Sequence, residues 1–357
     1  MNNIKKVILN PLGFVSAVVI VFFTFISIFA YHIIPDSTYM ANDQHLSISN
    51  KKPGFEVNFL HQKKTLSLNS YKKSFFKRFI SGEEKNYLRI PLNDYFIKND
   101  TVLYREYGSS INENNLKLHV DDIIKNDDNF TYKSKYFFGT DSKGRDYLSR
   151  IILGSRVSLS VGIISVIISL LIGLSLGLIS GYYGGRVDLF IQWLINVFWS
   201  IPTLMLVISI SIALGSGFWQ IFIAIGLTMW VEVARVTRGE VLKLRELSYI
   251  KAVKSIGFND YKIITNHVLP NILNPIIIIS TANFATAILL EAGLSFLGLG
   301  IQPPAPSWGM MIKNHYLYIL IDDPYLAILP GFCIVILVLS FMSLGNVLRD
   351  IKDVKLK

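Results

Sequence analysis

The chain lacks most of what catalysis and covalent stapling require. It has a single cysteine, Cys333, inside an apolar run. That excludes an intrachain disulfide and a cysteine-based metal site, and leaves Cys333 as a small apolar packing group. The six histidines are scattered. No His-Glu-x-x-His, Gly-x-Ser-x-Gly or Gly-x-x-x-x-Gly-Lys-Ser/Thr occurs, so the signatures of a zinc protease, a serine hydrolase and a phosphate-binding loop are missing. No catalytic residue and no metal ligand is assigned. Charge is scarce as well: 17% of the 357 residues are Asp, Glu, Lys or Arg, against 51% hydrophobic. A mean hydropathy of +0.43 is more apolar than a soluble domain of this length needs. The formal net charge is +10, but the basic residues lie between apolar runs. That pattern belongs to membrane topology and not to nucleic-acid binding.

What the chain does have is a succession of apolar runs. Residues 1–10 are a short polar start with Lys5 and Lys6, and residues 11–34 carry no charge except what His32 can take up. At about 1.5 Å rise per residue the second stretch can cross a bilayer. It is long for the apolar core of a cleaved signal peptide, and no small-x-small site follows it. Residues 35–137 interrupt the pattern with a Lys-, Asn-, Asp- and Tyr-rich insert. Its alternating pieces at 55–60 and 101–107 are candidates for strands. Apolar stretches resume at 157–183, 189–214, 218–231, 276–299 and 324–347, making six spans in all.

Several features inside these spans have physical content. Gly173, Gly177 and Gly181, in line with Ser165 and Ser169, place small residues on one face and let another helix approach closely. Pro202, in the middle of 189–214, predicts a kink. Glu291 is the only formal charge in 276–299 and lies toward its far end; an intramembrane carboxylate is a functional candidate. Pro202 and Glu291 are therefore the candidates for a translocation pathway. Glu232 and Arg235 are expected to pair at a membrane boundary. Leu148, Ile151 and Ile152 with Arg145, Arg150 and Arg156 read as a basic amphipathic helix lying on the interface. Six spans put both termini on one side, with Lys5, Lys6, the basic residues from Arg235 to Lys262 and those of the tail, 348–357. The short loops opposite hold only Lys313. The positive-inside rule makes the terminal side cytoplasmic, and a long insert is exempt from it.

Residues 244–275, between the fourth and fifth spans, are polar and basic. Tyr249, Ile250, Val253 and Ile256, then Tyr261, Ile264 and Val268, recur at helical spacing. They predict two short amphipathic helices around a turn at 257–260. Ser248 is the expected N-cap of the first helix, and Asn259 or Asp260 of the second. Asn274-Pro275 is the expected start of the next membrane helix. A compact helix–turn–helix between two spans offers a surface to a soluble partner.

The spacing of Ala252, Gly257 and Leu269-Pro270 resembles the EAA loop of ABC importer permeases. The local wording, YIKAVKSIGF and then HVLPN, is similar to the oligopeptide and dipeptide branch of that family. FGTDSKGRDYLSRIILGSR at 138–156 and GLSFLGLGIQPPAPSWG at 293–309 resemble two further segments of it. The likeness covers residues 138–347 and the first span and leaves the insert outside. Two positions depart from the pattern. Lys251 stands where the family usually has Glu and cannot close a capping box onto Ser248; Val253 stands where Ala is usual.

The resemblance implies an all-α polytopic membrane protein of six transmembrane helices, the type I ABC importer permease fold, with a small extracytoplasmic insert. It implies an ATPase-docking loop at about residues 244–271, carried by Lys251, Ala252, Val253, Gly257, Leu269 and Pro270. It also implies an outer loop, with Pro303, Pro304, Pro306 and Trp308, facing a substrate-binding protein. The implied partners are a second homologous permease subunit, two cytoplasmic ABC ATPase subunits and that binding protein, in a bacterial inner membrane. The chain itself would hold no cofactor, ATP and Mg belonging to the ATPase subunits. The implied cargo is an oligopeptide or dipeptide, with nickel or a glycoside as alternatives. An ATP-independent channel or secondary transporter asks for several paired intramembrane charges, and this chain offers only Glu291 and the boundary Glu232. A membrane-anchored enzyme asks for clustered His, Asp or Glu in the insert, where the acids are mixed with lysines.

Overall fold

The structure, a computed structural model, describes residues 2–64, 75–109, 116–125, 130–215, 217–320 and 323–353. Helix α1 (Asn2–Leu9) leads into α2 (Pro11–Ile28) and the short α3 (Ala30–Ile33). The side chain of Asn10 caps α2 by accepting from the N–H groups of Leu12 and Gly13, and Pro11 occupies a position where no N–H is missed.

The insert follows: β1 (Phe55–Lys63), α4 (Phe75–Ser81), β2 (Tyr87–Lys98), β3 (Thr101–Glu106), β4 (Leu116–His119) and β5 (Thr131–Tyr136). They form one antiparallel sheet in the order β4-β3-β2-β1-β5. The β2–β3 hairpin turns through Asn99 and Asp100, both at positive φ, the conformation whose twist suits a two-residue hairpin. Both sheet faces are partly covered. Leu60 packs with Leu92, Val102, Tyr104 and Ile123, while Val57 and Phe59 pack with Ile48 and Tyr136.

The remaining helices are α5 (Tyr147–Tyr183), α6 (Gly185–Trp199), α7 (Thr203–Leu214), α8 (Phe218–Arg245), α9 (Ser248–Ser255), α10 (Asp260–Ile263), α11 (Leu269–Leu297), α12 (Trp308–His315) and α13 (Tyr325–Asp353). A π-turn at Ile264–Val268 joins α10 to α11. Among the described residues, five helical segments are long and apolar enough to cross a membrane, and the α6–α7 pair makes a sixth if it is one bent span. The kink expected at Pro202 is a complete break. The two halves meet at 91°, and Pro202 caps α7 instead of sitting inside a helix, because the ring removes an N–H and crowds the preceding turn.

The small-residue row closes the seam between α5 and α8. An added Cβ at Gly173 would meet Val233 and the Trp230 carbonyl, at Gly177 the Ala234 carbonyl and Thr237, and at Gly181 Val241. The backbones approach this closely only because no side chain intervenes.

Two expectations about helix starts are corrected. Leu247, not Ser248, is the N-cap of α9, and it makes no side-chain cap. The membrane helix begins at Leu269 with Pro270 in its first turn, so Pro275 is an interior proline. The π-turn keeps the chain helical upstream of Asn274, so no fresh start is needed there. The expected interfacial helix is also different. It forms the first turns of α5, and Arg145 and Arg150 are buried. They can be buried because Asp141 lies 2.7 Å from Arg145 and 3.7 Å from Arg150; a buried cation needs such a partner.

The insert is bound to this end of the helices by polar contacts. The Asp36 N–H donates to Ser149 Oγ, the Lys51 N–H to Thr140 Oγ1, and Asn50 Nδ2 to Tyr318 Oη. Burial alone would raise the Asp43 carboxyl; His45, Lys85 at 2.8 Å and Arg89 at 3.0 Å overcome that and hold it far below the usual carboxylate range. His61 is stacked between Tyr87 and Tyr132, with ring centroids 4.3 and 3.8 Å away. Burial, helped by Arg89 and Lys85 against the opposing Asp43, lowers its pKa from 6.5 to about 4.

Two predictions follow from these contacts. Between pH 6.5 and about 4 the unfolded chain takes up a proton that folded His61 refuses, so the insert loses stability as pH falls through that window. Amide exchange in β1, corrected for its intrinsic pH dependence, should accelerate from pH 7 to 4.5. In His61→Phe most of that acceleration should vanish, since Asp43 begins to protonate in the unfolded chain only below this range and the exposed Glu56, held low by Lys133 and Lys135, adds a loss only at its lower edge. Gly177→Leu should lower the apparent unfolding temperature in detergent by overpacking the seam at about 1–3 kcal/mol. Gly239→Ala, in open space on α8, should not.

Candidate functional site

The segment between α8 and α11 is built as a platform. Ile250, Ile263 and Val268 are buried with Val241, Ile272 and Ile276, and Val253 and Leu269 pack against them. At the C-terminal end of α9, the Gly257 N–H donates to Lys254 O and the Phe258 N–H to Val253 O. Gly257 adopts φ +88 with nothing within 4 Å of an added Cβ. This is the paired-bond ending that favours glycine in the left-handed region. Asn259 caps α10 by accepting from the Tyr261 N–H.

Of the residues singled out in the sequence, Lys251, Ala252, Gly257 and Pro270 are exposed, whereas Val253 and Leu269 are partly buried supports. Lys251 lies 2.9 Å from Glu246, an exposed pair. This ion pair holds the Glu246 carboxyl below its ordinary value. Helical spacing placed Ile256 and Tyr261 on the inner face, and the structure corrects this. Ile256 is 75% exposed and Tyr261 72%, with Phe258 beside them at 46%. The abrupt turn at Gly257 takes these side chains out of register with the buried stripe. The glycine itself was the signal that the periodicity ends there. The outer face of the turn is therefore apolar and aromatic, framed by Lys251, Lys254 and Lys262.

Arg238 pairs with both oxygens of Asp188 at 2.6 Å, tying α8 to the first turn of α6. Arg235 lies over the Trp199 ring, 3.4 Å from its centroid. Neither arginine serves Glu232, so the expected Glu232–Arg235 pair does not form; Arg235 is taken up by the Trp199 face instead.

At the opposite end, residues 298–307 form a non-helical loop between α11 and α12. Pro303 and Pro304 are exposed, but Pro306 and Trp308 are buried. The Trp308 indole N–H donates to Ile151 O at 3.0 Å, and its ring lies against Gly154 and Phe23. Trp308 is thus a core anchor and cannot face a partner as expected; a large ring with one polar tip is stable where both can be satisfied. The buried Arg150 guanidinium reaches the carbonyls of Met40, Ala41 and Pro304. It holds the insert, this loop and α5 together.

Glu291 is fully buried and accepts from Ser295 Oγ at 2.6 Å. Ser295 Oγ in turn accepts from the Ile301 N–H and from Ser307 Oγ. The carboxyl therefore anchors the loop to α11. A cavity of about 460 Å³ opens between α8, α11 and α13, with Val236, Pro275, Ile278 and Met342 among its walls and Arg349 among its polar groups. Neither Pro202, at the exposed α6–α7 break, nor Glu291 lines it. Among the described residues no group of three His, Cys, Asp or Glu side chains is placed to hold a metal ion.

This arrangement of membrane helices with a projecting helix–turn–helix defines a polytopic membrane protein of the transport type. Residues 173–356 match the family described as binding-protein-dependent transport system inner membrane component, and the chain belongs to that family. It is 40% identical to the glutathione transport system permease protein GsiD of Pectobacterium atrosepticum over 63% of this chain and 74% of that one. It is 41% identical to the dipeptide transport system permease protein DppC of Alkalihalophilus pseudofirmus, over 63% and 73%. The DppC of Bacillus subtilis is 38% identical over 64% and 72%. Among solved structures, the MetNI methionine ABC transporter in inward-facing conformations aligns with a TM-score of 0.47 and 19% identity, over 57% of this chain and 96% of that one.

The anchoring role of Glu291 is testable. Glu291→Gln keeps an acceptor for Ser295 and should change stability by less than about 1 kcal/mol, with transport retained. Glu291→Ala leaves polar groups unpaired and a cavity, and should cost about 2–4 kcal/mol in detergent unfolding. Loss of transport in a stable Glu291→Gln protein would instead give the carboxylate a direct role on the pathway.

Proposed function

We propose that this chain is one permease subunit of an ABC importer that takes up short peptides. It would pair with a second homologous permease, receive cargo from an extracytoplasmic substrate-binding protein, and be driven by two cytoplasmic ATPase subunits. The observation that carries the proposal is the exposed turn at Lys251–Tyr261, displayed on a platform packed over a small buried apolar cluster, in a chain of the binding-protein-dependent family. Apolar side chains framed by lysines and held off the membrane body suit insertion into a groove on a soluble partner. ATP and Mg would be handled by that partner, and this chain would do no chemistry itself.

On this reading the termini and the platform are cytoplasmic, following the positive charge. The insert, the exposed Pro303-Pro304 and the Arg150 junction then face outward, where a binding protein delivers cargo. The peptide cargo is supported by relatives named for dipeptide and glutathione transport, glutathione being itself a short peptide. Closure of the ATPase pair would move the platform, and a decisive shift between inward and outward states needs a differential of several kcal/mol.

The direct test is co-purification of the tagged chain from its native membranes in mild detergent. Two ATPase chains and a second permease should come with it. Recovery of the folded chain alone would overturn the importer assignment. Gly257→Glu is the matching variant. It forces a β-carbon into the left-handed region and sets a carboxylate in the apolar turn, at about 1–2 kcal/mol of local strain. Expression and insertion should be normal, ATPase recovery on the tagged chain poor and peptide uptake at least tenfold lower. Normal uptake at normal expression would remove the turn from the docking surface.

A further inference from the structure

We propose that Tyr182 is the positioning residue through which movement of the α9–α10 platform reaches α5, and through α5 the α8 seam. The inference deepens the coupling role proposed above and rests on it. Tyr182 lies in the last turn of α5 and is buried among Val241, Ile250, Ile263 and Val268. It meets α8, α9 and α10 together. Its Oη donates to Asp260 Oδ1 at 2.7 Å, on the first residue of α10. Its ring lies under Lys254 Nζ, 5.8 Å from the centroid, in the last turn of α9. Its carbonyl, with that of Gly181, accepts from the guanidinium of Arg245 at the end of α8.

The neighbours explain how one side chain can set the register of the platform on the helices. Gly177 and Gly181 join α5 to α8 backbone against side chain, so α5 does not shift alone. Directly after Tyr183, Gly184 takes φ +68 and ends α5, so the helix contacts of this end gather around Tyr182. A displacement of α9 and α10 therefore either breaks the Tyr182–Asp260 bond or draws the α5–α8 pair with it. Tyr183, the next residue, is 54% exposed and makes none of these contacts.

The test uses the whole importer in proteoliposomes with its binding protein and a mixture of labelled di- and tripeptides. The readout is peptide imported per ATP hydrolysed, which a merely structural role would not alter. Tyr182→Phe keeps the ring and removes only the hydroxyl; Asp260→Ala removes the acceptor; Asp260→Asn keeps one. Tyr182→Phe and Asp260→Ala should each lower the ratio by about three- to tenfold, as loss of one part-buried hydrogen bond of ordinary strength allows. Asp260→Asn should restore most of it, and the double variant Tyr182→Phe/Asp260→Ala should be no worse than either single change. An unaltered ratio in Tyr182→Phe, or Asp260→Asn falling as far as Asp260→Ala, would overturn the proposal while leaving the importer intact. Absence of ATP-dependent import in the unaltered complex would overturn the importer reading, and this proposal with it.

Discussion

The constraint on which the helical body depends is the backbone approach of α5 to α8. In a bilayer the apolar effect does not press helices together, since lipid is as apolar as leucine; close packing and interhelical polar contacts do that work. Gly173, Gly177 and Gly181 leave room for the α8 carbonyls and for Val233, Thr237 and Val241. Once this seam is fixed, the two ends of α5 and α8 are fixed relative to each other. At one end Arg238 and Arg245 come within reach of Asp188 and the last carbonyls of α5. At the other, Val157 and Val161 of α5 pack with Ile221, Phe222 and Ile225 of α8.

The two ends then use different chemistry. Where α5 begins, the contacts are buried and ionic: Asp141 with Arg145 and Arg150, and Arg150 with three backbone carbonyls from two segments, Met40 and Ala41 of the insert and Pro304 of the loop. Removing one partner from such a cluster leaves a buried charge unpaired, which costs about 3–5 kcal/mol. This end is therefore rigid, and the insert and the Pro303-Pro304 loop move only with the helices. At the platform end the contacts are half-exposed hydrogen bonds and ion pairs over a small apolar cluster. The Tyr182–Asp260 hydrogen bond contributes about 1 kcal/mol, and the solvated Lys251–Glu246 pair adds little. That end can be rearranged by a partner.

Much of this was legible in the sequence, and the failures are instructive. The apolar runs, the seam glycines and the helix–turn–helix followed from spacing alone, because each expresses a local period or a local steric need. The strand at 55–60 and the one at 101–107 showed through their alternation. Burial of polar residues did not. Arg145 and Arg150 read as surface cations because the carbonyls of Met40 and Pro304 that cover Arg150 are brought in by the fold, and spacing alone did not show that the nearby Asp141 would be buried with them. Trp308 sat among prolines and read as part of a presented loop, when the ring in fact fills a notch at Gly154. Ile256 and Tyr261 followed the helical period past the glycine that ends it. The start of α11 was missed because a π-turn carries the helix through a stretch with no cap signal.

The magnitudes decide how force can pass through the chain. A partner that shifts the permease between states must supply several kcal/mol of differential binding. A single bond of the platform end cannot carry that alone, and the buried cluster at Asp141 would resist it. The load must be spread over the apolar contact of Ile250, Ile263 and Val268 with the foot of α5 and α8, with hydrogen bonds setting direction instead of strength. Apolar contact is tolerant of sliding, so without a directional bond the platform could slip across the helix feet and dissipate the stroke. A phenol hydroxyl aimed at a carboxylate has the opposite property: it weakens steeply with misalignment. The structure therefore separates the two tasks, adhesion by the buried aliphatic residues and registration by the polar ones. Registration is the part that a change of one atom can remove.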